Sequence, residues 1–479
     1  MPFSLRALLT GSGAGVPEIT VAGINADSRA IKAGDAFFAA PGLHTHGDAF
    51  AAEVRAKGAV VMVTDRMPAS NPGIPVVVVS DVRAAYARAA AVQFAPQPAT
   101  IVGVTGTSGK SSIVSFVRQI WAAVGIDGAS MGTVGIETGA GLRSGELTTP
   151  DALTLHSDLG ALKAEGIDHV AMEASSQGLD QHRVDGVRFA AAGFTNLSRD
   201  HLDYHETMDI YRDAKLRLFT ELVAHEGTAV VNADDPVSRH FIEAGSKYAS
   251  HVWTVGRAGD WFKIKSISNE GYGQRVMGSL EGADASFYLP LTGDFQVSNA
   301  LVATGLASAT GVAPRQALEA LAKLKGARGR LEFAGEYNGA AIFVDYAHKP
   351  AALEAALSAL RPYASNRLHV VFGAGGDRDK GKRPLMGEAA TRMADGVIVT
   401  DDNPRMEDAA QIRREILAAA PAAREIGDRR EAIGTAIRSL QPGDVLLIAG
   451  KGHEDYQIIG KTKHHFSDHE VIAETLRSL

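Results

Sequence analysis

The nine residues "VTGTSGKSS" (104–112) decide how the rest of the chain is read. They join the apolar run "TIVGV" (100–104) to "KSSIVSFVRQIWAAVG" (110–125), a plausible sheet-covering helix. A strand, a glycine loop and a helix in that order make an anion cradle. Glycines let backbone N–H groups approach phosphates, and the helix N-terminus favours negative charge. Lys110 can then contact β- and γ-phosphates, and Ser111 can hold Mg2+. The strict GxxxxGK[ST] spacing is broken, because Val104 stands at the first glycine position and Gly106 and Gly109 are the glycines available. A plain Gly/Ser turn capping a helix is the bland alternative, and the strand–loop–helix context argues against it.

Outward from this loop, short apolar runs recur, each followed by polar residues and then a helical pattern. They are "IDHVAM" (167–172), "FAAAGFT" (189–195), "TAVVN" (228–232), "AIFVD" (341–345), "LHVVF" (368–372), "GVIVT" (396–400) and "DVLLIA" (444–449). Continuous apolar strands alternating with helices predict parallel sheets covered on both faces, an α/β fold. In such sheets ligands bind outside the carboxyl ends of the strands. "GTSGKSS", "EASSQG", "NLSRDHLDYH", "NADD", "DYAHKP", "GAGGDRDKGKR", "DDNPR" and "GKGHED" all fall there.

A chain of 479 residues is too long for one core. The proline-bearing "FAPQPAT" (94–100) and the Gly/Arg-rich "LKGARGRLE" (324–332) mark two boundaries. Three domains are expected: a smaller N-terminal α/β domain at 1–97, a central P-loop ATPase-type parallel sheet at 98–327, and a C-terminal Rossmann-like parallel sheet at 328–479. The net charge of −7 argues against a general nucleic-acid binder. Zero cysteines exclude disulfides and thiolate chemistry. The N-terminal stretch is too weak for a signal peptide, and no apolar run approaches the roughly 18 residues that span a bilayer. A cytoplasmic protein without membrane insertion is expected.

Glu173, at the end of a predicted strand facing the P-loop, is a candidate Mg2+ ligand. His201 and His205 have i, i+4 spacing, but Leu202 stands where the zinc-protease pattern needs Glu. His201 therefore reads as a phosphate or Mg2+ contact and His205 as structural. Lys215 by itself reads as a solvated helix lysine. "GRLE" (329–332) and "DYAHKP" (345–350) offer Arg330, Asp345 and His348 to a nucleotide, Arg330 as a charge-neutralising finger. In the last domain, Arg378 and Arg405 can grip a carboxylate with paired N–H bonds. Asp402, Asn403 and Glu454 offer oxygens to an ammonium group. Together these loops form a recogniser for the zwitterionic end of an amino acid.

These motifs, with "TTPDALTLH" (148–156), "YRDAKLRLF" (211–219) and "AGKGHEDYQ" (449–457), resemble the Mur ligase family over nearly the whole chain. The resemblance implies an ATP-dependent amide ligase of peptidoglycan-precursor synthesis. It implies addition of meso-diaminopimelate to the D-glutamyl γ-carboxylate of UDP-N-acetylmuramoyl-L-alanyl-D-glutamate, through an acyl phosphate. By the same resemblance Gly106, Thr107, Ser108, Gly109, Lys110, Ser111 and Ser112 bind ATP phosphates. Asn299, Arg330, Asp345 and His348 lie around the nucleotide. Ser111, Glu173, His201 and Lys215 lie near Mg2+, with Lys215 carbamylated (N6-carboxylated), a change favoured by a lowered amine pKa. Lys110, Glu173, His201, Lys215 and Arg330 form the implied catalytic set.

The implied UDP-muramoyl dipeptide contacts are Ser28, Leu43, His44, Thr45, Thr148, Thr149, Ser175, Gln181 and Arg183. Arg378, Asp402, Asn403, Pro404, Arg405, Gly450 and Glu454 would hold diaminopimelate. The "DNPR" turn (402–405) is the family's marker for diaminopimelate over lysine, which lacks the distal carboxylate and would leave Arg405 uncompensated. A monomer is expected. The chain departs from the family at Ser108 (usually Asn), Ser111 (usually Thr), "GARGR" (usually "GVPGR") and Leu147 (Asn in some members). Rival readings are a lysine-adding, tripeptide-adding or folylpolyglutamate-type ligase and, in a different class, an ATP-driven conformational switch.

Overall fold

The computed structural model describes residues 2–10, 15–42, 45–145 and 147–479. The chain divides into two compact units. The first comprises Met1–Ile264, Gly278–Ala285 and Ser298–Ala320; the second comprises Lys265–Met277, Ser286–Val297 and Leu321–Leu479.

The first unit holds two principal sheets. A small parallel sheet runs in the order Ile24–Asn25, Ala36–Ala39, Val61–Thr64, Val76–Val78. Helix Val82–Gln93 covers it, capped by Asp81, whose carboxylate accepts the Ala84 N–H. Leu5, Phe38, Val61, Val63, Val82 and Ala89 form its core.

The larger sheet has "TIVGVT" as strand Thr100–Thr105 at its centre, between parallel neighbours His169–Glu173 and Phe189–Phe194. Gly128–Gly132 continues it on one side; Val223–Asn232 and His251–Gly256 continue it on the other. Strand order reverses at Thr100–Thr105, so the crevice beyond its carboxyl end is where an open α/β sheet binds ligands. Helix Lys110–Ala123 buries Ile113, Val114, Phe116, Val117, Ile120 and Trp121, each worth roughly 1.5–3 kcal/mol of apolar burial. The Trp121 indole N–H donates to Thr310 Oγ1 at 3.1 Å.

The second unit is built on a six-stranded sheet in the order Glu332–Tyr337, Ala340–Asp345, Val445–Ala449, Leu368–Phe372, Gly396–Val399, Arg424–Glu425. Its first pair is antiparallel and the others parallel. Both faces are covered. Ala341, Phe343, Val370, Phe372 and Leu447 join one apolar cluster; Ile342, Val344, Val371, Leu446 and Ile448 join the other. The period-2 alternation of a strand explains why neighbours in sequence feed opposite cores, and why these runs are apolar apart from His369 and the strand-end Asp345. The α/β class with parallel sheets is therefore what the structure shows.

One ion pair lies wholly inside this unit. Arg429 Nε and Nη2 donate to the two oxygens of Asp468 at 2.7 and 2.8 Å, with neither side chain exposed. Arg429 Nη2 also donates to Ala449 O at 3.0 Å, tying the helix Arg429–Arg438 to a strand end. Removing one partner strands the other charge, which costs about 3–5 kcal/mol. Arg429→Met should lower the urea midpoint of the second unit's unfolding accordingly. The double change Arg429→Met with Asp468→Leu should recover most of that loss; a double variant as unstable as the single one refutes this account.

Candidate active site

The loop after Thr100–Thr105 has two positive-φ glycines, Gly106 (φ +145°) and Gly109 (φ +88°). A Cβ on Gly106 would collide with Thr195 Oγ1, and one on Gly109 with Asn299 Oδ1. The absent side chains let the loop seat against its neighbours. The Thr107 N–H donates to Asn196 O at 2.9 Å, and the Ser108 N–H to Asn196 Oδ1 at 3.1 Å. Thr195 Oγ1 donates to Ser108 O at 2.6 Å, and the Ser198 N–H to Thr107 Oγ1 at 3.0 Å. Lys110 opens the helix and folds back, donating to Gly106 O at 2.9 Å and Thr107 O at 3.0 Å. Ser111 and Ser112 are buried in its first turn.

Lys215 reaches the same loop from the helix Met208–Arg217, itself capped by Thr207. Its amine donates to Gly106 O at 2.9 Å and stands 4.3 Å from the ring centre of Tyr211, one helical turn earlier. Only 1% of Lys215 is exposed, so this is not a solvated lysine. Burial pushes its pKa well below the ordinary lysine value; the nearby Lys110 cation pushes the same way, and Asp200 partly opposes them. The shift raises the share of the neutral, nucleophilic amine over that of an exposed lysine.

Glu173 ends the neighbouring strand, buried, with its carboxylate already engaged. Oε1 accepts the Thr133 N–H at 2.8 Å and Oε2 the Thr133 hydroxyl at 3.2 Å. That hydroxyl also meets Thr148 Oγ1 at 2.9 Å. Thr149 donates to Glu173 O and accepts the Ser175 N–H, both at 3.0 Å. Ser175 caps the following helix through Gly178 N–H. Arg183 donates to Thr149 O at 2.8 Å and to Gln181 Oε1 at 2.8 Å. Thr148, Thr149, Ser175, Gln181 and Arg183 are thus one connected group.

The two histidines part company. His201 stands at the start of a short helix with φ +52°, partly exposed, 3.6 Å from Asp200. His205 is buried and bonded to Ser176 Oγ at 2.9 Å. Among the described residues no group of three or more His, Asp or Glu side chains could hold a metal by itself. The donors fit a hard cation held chiefly by phosphate oxygens and water, as Mg2+ commonly is.

In the small sheet's loops, Ser28 opens a 3-10 turn capped by Asp27, and its carbonyl accepts Lys57 Nζ at 2.9 Å. Thr45 is exposed, and its carbonyl accepts the Gly42 N–H at 3.1 Å. Leu43 and His44 lie outside the described residues.

The second unit gathers two groups at its strand ends. In the first, Asp345 accepts the Leu331 and Ala347 N–H groups at 2.6 and 2.7 Å. Desolvation raises its pKa to about 6 against the pull of Arg330. The Arg330 guanidinium lies 4.8 Å from the Tyr346 ring centre, and its buried Nε has no hydrogen-bond partner among the described residues. His348 bonds Tyr346 O at 2.8 Å, and burial lowers its pKa to about 4, so it is neutral at neutral pH.

The second group is the "DNPR" turn. Arg405 has φ +50°, and its Nη1 donates to Gly376 O at 2.8 Å. The glycine loop at 373–376 fits this turn closely: a Cβ on Gly376 would collide with Pro404 O. Arg378 is exposed on the same loop. Asp402 is buried, and Gly450 (φ +117°) leaves only 2.8 Å between a hypothetical Cβ and Asp402 Oδ2. Asn403 is committed at both ends of its amide. Oδ1 accepts Lys451 Nζ and the Ile458 N–H, each at 3.0 Å, and Nδ2 donates to Glu454 Oε2 at 2.9 Å. The sequence reading gave Asn403's oxygen to a ligand ammonium; here that oxygen holds a lysine of the protein.

Sequence reasoning passed over Thr133, Tyr211 and Lys451. Tyr211 was signalled by its i−4 spacing from Lys215, and Lys451 by its place in a quoted motif; Thr133 left no sign.

Three family models match the chain: "Mur ligase family, catalytic domain" over residues 20–95, "Mur ligase middle domain" over 104–307, and "Mur ligase, glutamate ligase domain" over 329–452. The chain is similar to the UDP-N-acetylmuramoyl-L-alanyl-D-glutamate–2,6-diaminopimelate ligase of Mesorhizobium japonicum, 50% identical over 475 residues, covering 99% of this chain and 98% of that one. It is 51% identical over 483 residues to the ligase of the same name from Bradyrhizobium diazoefficiens, covering 99% of each. A solved structure of a ligase of that name superposes with TM-score 0.74 at 32% identity, covering 100% of this chain and 99% of that one.

Gly109→Ala tests the cradle directly. The methyl group displaces Asn299 and strains a left-handed backbone, so ADP–Mg2+ affinity measured by calorimetry should fall at least about tenfold. Unchanged affinity in a folded variant would mean the loop is not the phosphate seat.

Proposed function

The chain belongs to the Mur ligase family, and from that premise we propose that it joins the amine of meso-diaminopimelate to the D-glutamyl γ-carboxylate of UDP-N-acetylmuramoyl-L-alanyl-D-glutamate, consuming ATP, in peptidoglycan synthesis. The observation that carries this is the 50–51% identity, over 99% of the chain, to ligases named for that reaction. The geometry supplies matching parts: a glycine cradle for polyphosphate in the first unit and a buried acidic turn beside arginines in the second. We assign residues 1–97 to the UDP-sugar, 98–327 to ATP and 328–479 to the amino acid. We place the reaction in the cytoplasm, where the nucleotide-linked substrate and ATP are available, and take the protein as a monomer. No helix among the described residues is long and apolar enough to cross a membrane.

A carboxylate resists attack by an amine because oxide is a poor leaving group. In the proposed sequence the γ-carboxylate oxygen bonds to the terminal phosphorus of ATP and ADP departs. The diaminopimelate nitrogen then bonds to the acyl carbon, phosphate leaves with the former carboxylate oxygen, and the nitrogen loses a proton. Lys110 and the backbone N–H groups of 106–112 draw the phosphates into place, with Asn299 packed against Gly109 of the same loop. Mg2+, when bound beside Ser111, Glu173 and His201, supplies charge neutralisation for the phosphates. Thr133 fixes the Glu173 carboxylate in one orientation. Arg183, Gln181, Ser175, Thr148 and Thr149 hold the dipeptide, with Ser28 and the loop at 42–47 on the UDP-sugar. Positioning and charge neutralisation carry the rate enhancement.

Lys215 is proposed to act as its carbamate, formed when the neutral amine adds carbon dioxide and releases a proton. Burial, the Lys110 cation and the lowered pKa all favour the reactive form. With 13C-bicarbonate at pH 8, a carbamate resonance should appear in the protein and be missing from Lys215→Ala. It should decline as the pH falls, because protonation removes the nucleophilic lone pair. A spectrum identical in both proteins would end this part of the proposal.

The decisive assay is phosphate release from ATP and Mg2+ with the UDP-muramoyl dipeptide, comparing meso-diaminopimelate, L-lysine and no amino acid. Release with diaminopimelate alone, and a product heavier by its residue mass, is expected. Equal release with lysine would overturn the role given to Arg405. Release indifferent to any amino acid would replace the ligase by an ATP-driven switch.

A further inference from the structure

Lys451 has no part in the reaction just described, yet it is the most enclosed cation of the amino-acid pocket. Its side chain is fully buried. Its ammonium donates to Asn403 Oδ1 at 3.0 Å and Tyr456 O at 2.7 Å, and stands 3.5 Å from Asp402 and 3.9 Å from Glu454. Asn403 passes the contact onward, donating to Glu454 Oε2 at 2.9 Å. The strand-end loops at 402–405 and 450–456 therefore meet on one positive charge.

Two carboxylates in a shared buried pocket do not both stay ionised without a counter-charge; one takes up a proton. Burial and Asp402 already push the pKa of Glu454 upward, while Asn403, Lys451 and Arg405 hold it down. Asp402 in turn is the main group keeping Lys451 charged against its own desolvation. The groups facing Glu454 are Asp402, Lys451, Asn403, Arg405, Tyr456 and Tyr346, with Arg429 behind and itself neutralised by Asp468. Asp402, Glu454 and Lys451 together sum to one negative charge, and Arg405, which also faces Glu454, is the cation assigned above to the ligand's carboxylate.

We propose that Lys451 is a positioning residue, a fixed internal counter-cation that keeps Glu454 ionised beside Asp402 and both carboxylates aimed, so that these three groups leave one negative charge for one ammonium group of the incoming amino acid. Diaminopimelate brings two amino groups; one is the nucleophile, and the other is the ammonium this charge receives. This rests on the assignment of the pocket to the amino acid made above.

The test is steady-state phosphate release by Lys451→Met and Lys451→Arg. In Lys451→Met the KM for diaminopimelate should rise at least tenfold, with the KM values for ATP and the UDP-dipeptide within twofold and kcat within threefold. The acid limb of kcat/KM for diaminopimelate should move to higher pH, since Glu454 protonates more easily without the cation. Lys451→Arg, which keeps the charge, should return KM to within threefold of the unmodified enzyme. A loop tether with no electrostatic role would move all three KM values together, and that result overturns the proposal. So does an unchanged diaminopimelate KM in a folded Lys451→Met protein. If Lys451→Met does not fold, Glu454→Gln decides: its kcat/KM profile must lose the acid limb, and a limb that persists refutes the proposal. Wild-type release independent of diaminopimelate would instead bring down the ligase reading, and this proposal with it.

Discussion

The phosphate end of the first unit depends on two missing methyl groups. Gly106 and Gly109 lie so close to Thr195 and Asn299 that no other residue fits without displacement. That closeness lets the loop hang from Asn196 and Ser198 by its own amides and hydroxyls, and it brings the Gly106 carbonyl within reach of both Lys110 and Lys215. Push the loop outward and the damage is not local. Tyr211, bonded to Thr107, would shift the helix that carries Lys215, and the buried amine would lose its acceptor.

The second unit shows a different constraint, the placement of charge where water does not reach. Arg383, Arg429 and Lys451 are all fully enclosed, and each is matched by carboxylates: Glu407 and Glu415, Asp468, and the Asp402–Glu454 pair. All three hold loops at one end of the parallel sheet. Buried pairs of this kind add little net stability but penalise any arrangement that separates them. Here they hold loops that would otherwise have only turn chemistry to fix them.

Much of this was legible in the chain itself. The strands were apolar runs because both faces of each sheet are covered, so "AIFVD", "LHVVF" and "DVLLIA" appear as strands within a residue of where the pattern put them. The strand Gly128–Gly132, "GASMG", left no such trace, because small residues have weak strand preference and only its pairing with His169–Glu173 makes it one. Leu202 argued against a shared metal site for the i, i+4 histidines, but the spacing alone does not show that His201 stands at the helix start in a left-handed conformation while His205 turns inward to Ser176. Lysine is ordinarily a surface residue, so neither the burial of Lys215 nor that of Lys451 follows from composition or periodicity. The Thr133–Glu173 contact joins residues forty positions apart, and local pattern carries no record of it.

The commitment of both ends of the Asn403 amide has a chemical consequence over the protein's lifetime. Hydrolysis to aspartate would set a second carboxylate oxygen against Glu454 where an N–H now donates. The usual route to that damage begins when the backbone nitrogen of the next residue attacks the side-chain amide to close an imide ring. The next residue is Pro404, whose nitrogen bears no hydrogen and is already fully substituted. The turn thus shields its own most vulnerable amide from ageing, and a Pro404→Gly protein would be expected to lose its amino-acid pocket slowly on storage rather than at once.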